Sequence, residues 1–465
     1  MHKEVAWESN VTGEIRAETA LEARRPGCSA GQAASGRRPG RRRRPGGSGA
    51  GWFARAGGGH RPPNLLILGA SGHVAQACLR RLEARRSSFG RLVCVDPSPR
   101  LLHNAHLNHR RLRYEFLCRG FKFPEDTPCY HALLRRHRID IVLDLTDLDT
   151  LPILAATDAA GVSYVNTALN DGQRGVAEVV GALHPTRTQA RLAPHIISTG
   201  MNPGVVNIWV WHGFQEYGPP TEIVHFEYDS SEPESGWRPM TTWSRGEFLA
   251  ETVWEPTGVL LNGRLRMLPG NALQHREELR TVMEPVFSLP SYPRGLIVLH
   301  EENVKLGQKL GASSKYIYAI HPRTMDHLER LWQERGRVEV ADLEVGNNTS
   351  IPLRGADTIG VCLEYPDQRV YYVHSLANDE VTGTNATCAQ VAVGVEAGLT
   401  ALLAGGLSPR LYFASDLYDT VYSDVVFSEL RVDHFVFAKE DGALRLRRHV
   451  PALGESTRVR RFVGV

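Results

Sequence analysis

The pattern of apolar and polar positions begins abruptly at Asn64. Leu65-Leu66-Ile67-Leu68 is an unbroken apolar run of strand length that stops on Gly69, as a strand covered on both faces does. Residues 75–82 read as a helix, and residues 91–96 form a second strand ending on Asp96. A helical stretch at 130–136 precedes a strand at 139–144. A helix at 151–160, punctuated by Gly161, gives way to Val162-Ser163-Tyr164-Val165. Strands alternating with helices at this pace imply βαβ units and a parallel sheet. After Ile196-Ile197-Ser198-Thr199-Gly200 the rhythm changes. Ile223-Val224-His225-Phe226-Glu227-Tyr228, Leu296-Ile297-Val298-Leu299-His300 and Val370-Tyr371-Tyr372-Val373-His374 alternate, predicting a second domain with a mixed or antiparallel sheet. Residues 385–404 read as one long helix, capped by Thr384 or Asn385 and ended by Gly405-Gly406. Gly394 and Gly398 lie four apart on one of its faces, a spacing that predicts close helix packing.

Composition changes this picture mainly at the N-terminus. A chain of 465 residues predicts two or three domains, and 42% hydrophobic with 23% charged residues fits a globular protein. The formal net charge of +3 conceals a split: residues 1–62 carry +7 and the remaining 403 carry −4. The head is rich in Gly, Arg and Pro, with too little apolar surface to offset its ordering entropy, and reads as a disordered basic tail. It lacks the interleaved aromatics of a nucleic-acid arm. The mildly acidic body suits a cationic small molecule better than nucleic acid. Seven scattered cysteines, odd in number and without C-x-x-C spacing, argue against a disulfide framework or zinc site and fit a reducing compartment. No run reads as a bilayer span or secretory signal, so the expected location is the cytoplasm.

Candidate chemistry starts at Gly69-Ala70-Ser71-Gly72-His73-Val74-Ala75. A G-x-x-G-x-x-A turn between a strand and a helix suits a pyrophosphate: Gly69 allows the tight turn, Gly72 the approach of backbone N–H groups, and Ala75 close helix–sheet packing. Asp96 lies 27 residues after Gly69 at the end of the next strand. An acid there accepts from both ribose hydroxyls and repels a 2′-phosphate, favouring NAD over NADP, although Arg100 nearby argues the other way. The fold class is thus read as α/β, a Rossmann-type domain plus a second α+β domain. The boundaries read are 1–62 for the tail, 63–202 for the NAD-binding domain with helix 384–405 packed back on it, 203–383 for a substrate and dimerisation domain, and 406–465 for an extension of the second domain. Gly69, Ser71, Gly72, His73, Val74, Asp96 and Thr146 are the residues expected at the cofactor.

Four polar clusters stand out in the apolar surroundings further on. Gly200-Met201-Asn202-Pro203-Gly204 is either an ordinary turn or one that presents the Asn202 amide to a ligand. Trp243, with Glu247 and Glu251 on one helical face, is either a core indole beside a solvated pair or a cation–π surface beside carboxylates for a diammonium ligand. His300-Glu301-Glu302-Asn303 ends a strand, and in extended chain His300 and Glu302 share a face. There His300 can take a proton near neutral pH. Metal ligation is disfavoured because no third ligand has recognisable spacing. The stretch from His374 to Glu380 is either a fourth polar cluster or simply an acidic loop.

With these segments assembled, the chain from about residue 64 to residue 404 resembles bacterial homospermidine synthase, a branch of the saccharopine dehydrogenase-like group. The early turn, the NPG at Asn202, the TWS at Trp243, the HEEN at His300 and the Asn385-Ala386-Thr387 helix start carry the likeness. It implies that Asn202 lies near the nicotinamide, that Trp243 stabilises a cationic intermediate, and that Glu227 and Glu251 bind ammonium groups. It also implies that His300 and Glu302 complete the pocket. Where the family has a glutamate soon after the strand at 164–167, this chain offers Asn170 and Asp171; Asn170 is taken as substrate-binding. The implied activity is an NAD-dependent aminobutyl transfer from putrescine to a second amine through imines, in a homodimer, with His300 as base. Two alternatives are a saccharopine- or carboxynorspermidine-dehydrogenase-like reductase, and a nucleotide-sensing or assembly protein without catalysis.

Overall fold

The computed structural model describes residues 61–347 and 351–453; the basic tail read at 1–62 lies, but for its last two residues, outside the described part. The chain first lays down β1 (Leu65–Leu68), α1 (His73–Ala84), β2 (Leu92–Asp96), β3 (Tyr114–Cys118), β4 (Ile141–Asp144), β5 (Ser163–Asn166) and β6 (His195–Ile197). Every residue of β1, β2, β4 and β5 is buried. That is why these strands carry apolar runs instead of alternation. Helix α2 (Val205–Tyr217) then leads to β7 (Glu222–Asp229). Next come β8 (Pro256–Leu261), β9 (Arg264–Asn271), β10 (Arg276–Glu278), β11 (Arg294–Val298), α3 (Glu301–Leu310) and β12 (Ser313–Ile320). The chain continues through β13 (Ala356–Glu364), β14 (Gln368–Ala377), α4 (Ala386–Ala404), β15 (Leu411–Phe413), β16 (Asp433–Glu440) and β17 (Ala443–Val450).

The first sheet has seven strands in the order β15-β6-β5-β4-β1-β2-β3, all parallel. The order reverses direction at β1, and the crevice beyond the strands' carboxyl ends at such a point is where open α/β sheets bind ligands. The second sheet has ten strands, with the path β9-β8-β12-β7-β13-β14-β16-β17 and with β10 and β11 attached beside β12. It is mixed: β7 and β12 run parallel, whereas β13 pairs antiparallel with both β7 and β14. The α/β class with a second mixed sheet is therefore as read.

The C-terminal boundary differs. The sequence places 406–465 as an extension of the second domain, yet Leu411–Phe413 pairs with β6 as the edge of the first sheet. Three apolar residues between loops carry no period that could assign them to either sheet. Helix α4 packs against α1, and its glycines explain how closely it lies on the first sheet. A Cβ on Gly394 would stand 2.1 Å from the Gly200 carbonyl oxygen, and one on Gly398 3.2 Å from the Thr199 side chain. Asn385 caps the helix by accepting from the Cys388 N–H at 2.8 Å. Helix α4 is long and apolar enough to cross a membrane, a length the sequence reading did not credit. Its most apolar stretch is 78% buried inside the fold, so its apolar character is that of a core helix. The six cysteines among the described residues are all free.

Candidate active site

The turn after β1 is built for close backbone approach. Gly69 sits at φ +72°, and a Cβ there would stand 2.5 Å from the Leu145 carbonyl oxygen. A Cβ on Gly72 would crowd the Gly69 carbonyl oxygen at 3.2 Å and meet nothing else, a milder conflict than at Gly69. What Gly72 leaves clear is the approach to the N-terminus of α1, which has no side-chain cap. Its first N–H groups are thus available to an anion. Asp96 accepts from the Ser71 N–H at 3.0 Å and the Ser98 N–H at 2.7 Å, leaving acceptor capacity for a diol. Arg100 is exposed beside it.

The Ser71 side chain is engaged within the protein. Its hydroxyl donates to the Ser98 carbonyl at 2.6 Å and accepts from the Leu101 N–H, so the side chain braces the turn against the next loop. Thr146 stands beside Gly69 with its hydroxyl donated to Asp144 at 2.6 Å. The Asn170 amide donates to the Thr146 carbonyl at 3.1 Å. His73 is partly buried, and burial, aided by Arg100, lowers its pKa.

Beyond the turn lie two chambers. The inner one, of about 100 Å³, is walled by Val74 of α1, Asn202, Glu227, Trp243, Tyr316 and Tyr318, among others. Register explains the convergence. Tyr318 stands opposite Glu227 and Tyr316 opposite His225 in the parallel β7–β12 pair, so both tyrosines and Glu227 share one sheet face. Asn202 and the Tyr316 hydroxyl both donate to the Glu227 carboxylate. The Trp243 indole N–H donates to the Tyr318 hydroxyl at 3.1 Å, fixing the ring. Burial raises Glu227 to about 7 against these hydrogen bonds.

His300 is bonded on both sides. Its Nδ1 lies 2.7 Å from Glu302 Oε2 and its Nε2 3.2 Å from Glu251 Oε1. Burial opposes its charge, but Glu302 and then Glu251 outweigh burial and raise its pKa well above the ordinary value. Glu302 is correspondingly lowered, His300 overcoming burial. The two carboxylates therefore favour the protonated ring, which weighs against the free base expected of His300. The local structure differs as well. The strand ends at Val298, and His300 is the extended N-cap residue of α3, its N–H donating to Asn303 Oδ1 at 3.2 Å. Glu302 meets it from the first helical turn. Apolar residues 296–299 imply extended chain but do not reveal where a helix begins.

The outer chamber, of about 410 Å³, shares Glu251, His300, Pro203 and Ala168 with the inner one. Seven carboxylate residues line it against one arginine, Arg174. Glu247 and Glu251 both belong to it, although the helix Arg245–Leu249 widens to a π-type turn over Ala250–Trp254. Burial, then Glu251, raises Glu247 to about 8. Asn170 and Asp171 line its rim. The fourth cluster stays outside both chambers. His374 belongs to β14 and bonds the Arg431 carbonyl, while Asn378 Oδ1 accepts from the Ala386 N–H at the start of α4.

The sequence pattern does not single out Tyr316 and Tyr318, which wall the inner chamber, or the buried Asp229 and Asp357. The two tyrosines carried a signal in their period-two placement within β12. Asp229 and Asp357 are register partners, a relation visible only once the strands pair.

No model of a known protein family matches the chain, and no curated protein sequence matches it. Solved structures are similar in fold. The homospermidine synthase of Legionella pneumophila, in complex with NAD, aligns with a TM-score of 0.66 at 14% identity over 80% of this chain and 91% of that one. An amine dehydrogenase from Mycobacterium smegmatis aligns at a TM-score of 0.37 and 10% identity over 77% of this chain and 96% of that one.

Proposed function

We propose that the chain is an NAD-dependent enzyme acting on a diamine, transferring its aminoalkyl group to a second amine without net redox change. One observation carries the reading: a chamber lined by seven carboxylate residues and one arginine leads through Glu251 and His300 to an aromatic recess that includes Val74 of the nucleotide turn. A polyvalent cation of small cross-section, such as putrescine, is the ligand whose charge and width suit that path. The fold shared with a synthase solved with NAD supports the same reading.

NAD held at the turn would supply hydride-transfer chemistry. The chain's residues do the remainder. Asp96 would accept hydrogen bonds from the ribose hydroxyls, which favours the unphosphorylated cofactor. Glu227, ionised above about 7, and Glu251 hold ammonium ends. The Trp243 ring, fixed by Tyr318, faces positive charge that develops when an amine carbon becomes an imine carbon. Imidazolium His300 keeps Glu251 and Glu302 in place. The narrow inner chamber limits water access to the imine, which water would hydrolyse.

The test is incubation of purified chain with NAD and putrescine. The expected result is homospermidine, equimolar ammonia and no accumulation of NADH. A folded, NAD-loaded sample that makes none refutes the transferase reading. Stoichiometric oxidation of NADH in the presence of a carbonyl substrate and an amine would instead identify a reductase.

A further inference from the structure

Six large apolar side chains among the described residues are exposed, and Trp254 is the one of them that lines the outer chamber. It is 50% exposed. Tryptophan is covered in most folds, so an uncovered ring in the wall of a cavity marks a place for a ligand. Helical spacing puts it there. Glu247, Glu251 and Trp254 follow one another at four and three residues on the helix Arg245–Leu249 and the π-type turn that continues it. That spacing keeps side chains on one face, and all three line the chamber. The ring is also held. Its indole N–H donates to the Val338 carbonyl at 3.0 Å, and Val338 is buried in one apolar cluster with Met325, Leu328 and Leu331. The one polar atom of the side chain is thereby engaged, and what stays exposed is aromatic surface.

We propose that Trp254 is the specificity-determining residue for the second amine, its ring holding the ammonium end of a diamine whose other nitrogen reacts. The proposal rests on the reading of the chamber as an amine site. The two chambers, of about 100 and about 410 Å³, meet at Glu251 and His300. The smaller one includes Val74 of the nucleotide turn and takes the amine that is oxidised, so the second amine comes through the larger. Its near nitrogen must reach the junction neutral, where it adds to the imine carbon and ammonia leaves from that carbon. A neutral nitrogen has no ion pair to hold it. A diamine has a second nitrogen that keeps its proton and charge. Glu251 borders both chambers, whereas Trp254 borders the outer one alone. The two are about one helical turn apart, ~5 Å along the axis, a separation that a short chain of methylenes spans.

The carboxylates of the chamber do not make this choice. Asp147, Glu247 and Glu255 in the same wall attract sodium, magnesium or ammonium by charge alone. An aromatic face adds attraction for a cation that has shed water, and apolar contact for the methylenes beside it. Inorganic cations and ammonium bring no methylenes. A monoamine brings no charge once its one nitrogen is neutral. A diamine brings both, and the ring rewards that combination.

The test is acceptor competition, with the full NAD-loaded chain, putrescine as donor, and an equimolar mixture of cadaverine and pentylamine, which differ by the second nitrogen. The ratio of the two aminobutyl products gives the ratio of kcat/KM. Wild type is expected to favour cadaverine. In Trp254→Leu, which keeps apolar bulk without a ring, the preference is expected to fall about fivefold, the worth of one cation–π contact. In Trp254→Phe it should stay within about twofold of wild type. Both variants lose the Val338 bond, so their contrast isolates the ring; kcat at saturating amine, NAD affinity and melting temperature should stay near wild type in both. With fluorotryptophan incorporated, eight ¹⁹F signals are to be followed. The one lost in Trp254→Phe is expected to shift on adding cadaverine and not on adding sodium chloride of equal ionic strength. A folded Trp254→Leu chain with the wild-type preference overturns the assignment. So does a Trp254 signal that ignores cadaverine or answers the salt equally. A wild-type chain that makes no aminobutyl product, yet whose Trp254 signal answers cadaverine alone, refutes the transferase reading and supports the diamine site.

Discussion

Trp243 and His300 sit in the same wall but act through different physics, and their variants separate the two. Trp243 offers a ring face and one hydrogen bond, to Tyr318. Trp243→Phe keeps an aromatic face of weaker cation affinity. It is expected to lower kcat about tenfold while shifting the diamine KM little, because cation–π stabilisation of ~1–2 kcal/mol is lost mainly where charge develops. Rate measurements at saturating diamine check this; equal losses in binding and rate would mean that the ring serves the ground state. His300 is instead the counterion of a buried pair. Its pKa is raised above the unfolded value, so its stabilising contribution is present below the unfolded pKa and is lost as pH rises through the folded one. Glu302 is lowered, and its contribution is present above the unfolded pKa and is lost as pH falls through the folded one. His300→Gln leaves Glu302 buried and uncompensated, and is expected to cost about 3 kcal/mol in denaturant unfolding near pH 7. Adding Glu302→Gln should recover part of that loss, and no recovery would show that the pair is not the source.

At the scale of elements, the two turn glycines make a sharper test of the nucleotide site than either alone. Gly69 is demanded by the chain itself, through its positive φ and the Leu145 carbonyl. Gly72 meets one tight contact within the turn, to the Gly69 oxygen, and is demanded mainly by what lies outside it. Gly69→Ala is therefore expected to destabilise the fold by about 1–3 kcal/mol and to abolish NAD binding. Gly72→Ala is expected to leave the melting temperature near wild type and to weaken NAD binding at least tenfold. Calorimetry with NAD and thermal unfolding of both variants decide the matter, and an unchanged NAD affinity in Gly72→Ala would remove the turn from the cofactor site. These elements were largely legible because they are local. The β1 run, the glycine turn and the Asn385 cap each lie within a few residues of their own signal. The N-cap at His300 was not, because apolar residues 296–299 read the same whether the next residue continues a strand or starts a helix. Nor was β15, whose partner β6 is more than two hundred residues away in sequence.

The whole molecule collects buried negative charge that no single segment announces. Asn202, Trp243, Glu251 and His300 each stood out as a short motif, and the fold does bring them together. What sequence could not express is that Asp229 faces Asp357 across a strand pair, or that Glu247 and Glu301 line the same chamber. Their consequence is global. Burial raises Glu227 and Glu301 to about 7 and Glu247 to about 8, above the ordinary 4.5 of the unfolded chain. Over that interval the folded state binds more protons than the unfolded state, so stability falls as pH rises from 4.5 toward 8. The loss is at most about 3 kcal/mol for each of Glu227 and Glu301 and about 5 kcal/mol for Glu247. A bound dication favours the ionised carboxylates and offsets the loss. Putrescine at millimolar concentration, added to the NAD-loaded chain, is therefore expected to raise the melting temperature more at pH 8 than at pH 5.5. An equal ionic strength of sodium chloride should do much less, because a simple salt screens these buried groups only weakly. If the gain were the same at both pH values, diamine binding would not be tied to these carboxylates, and the chamber's acidity would have to be explained without a cationic ligand.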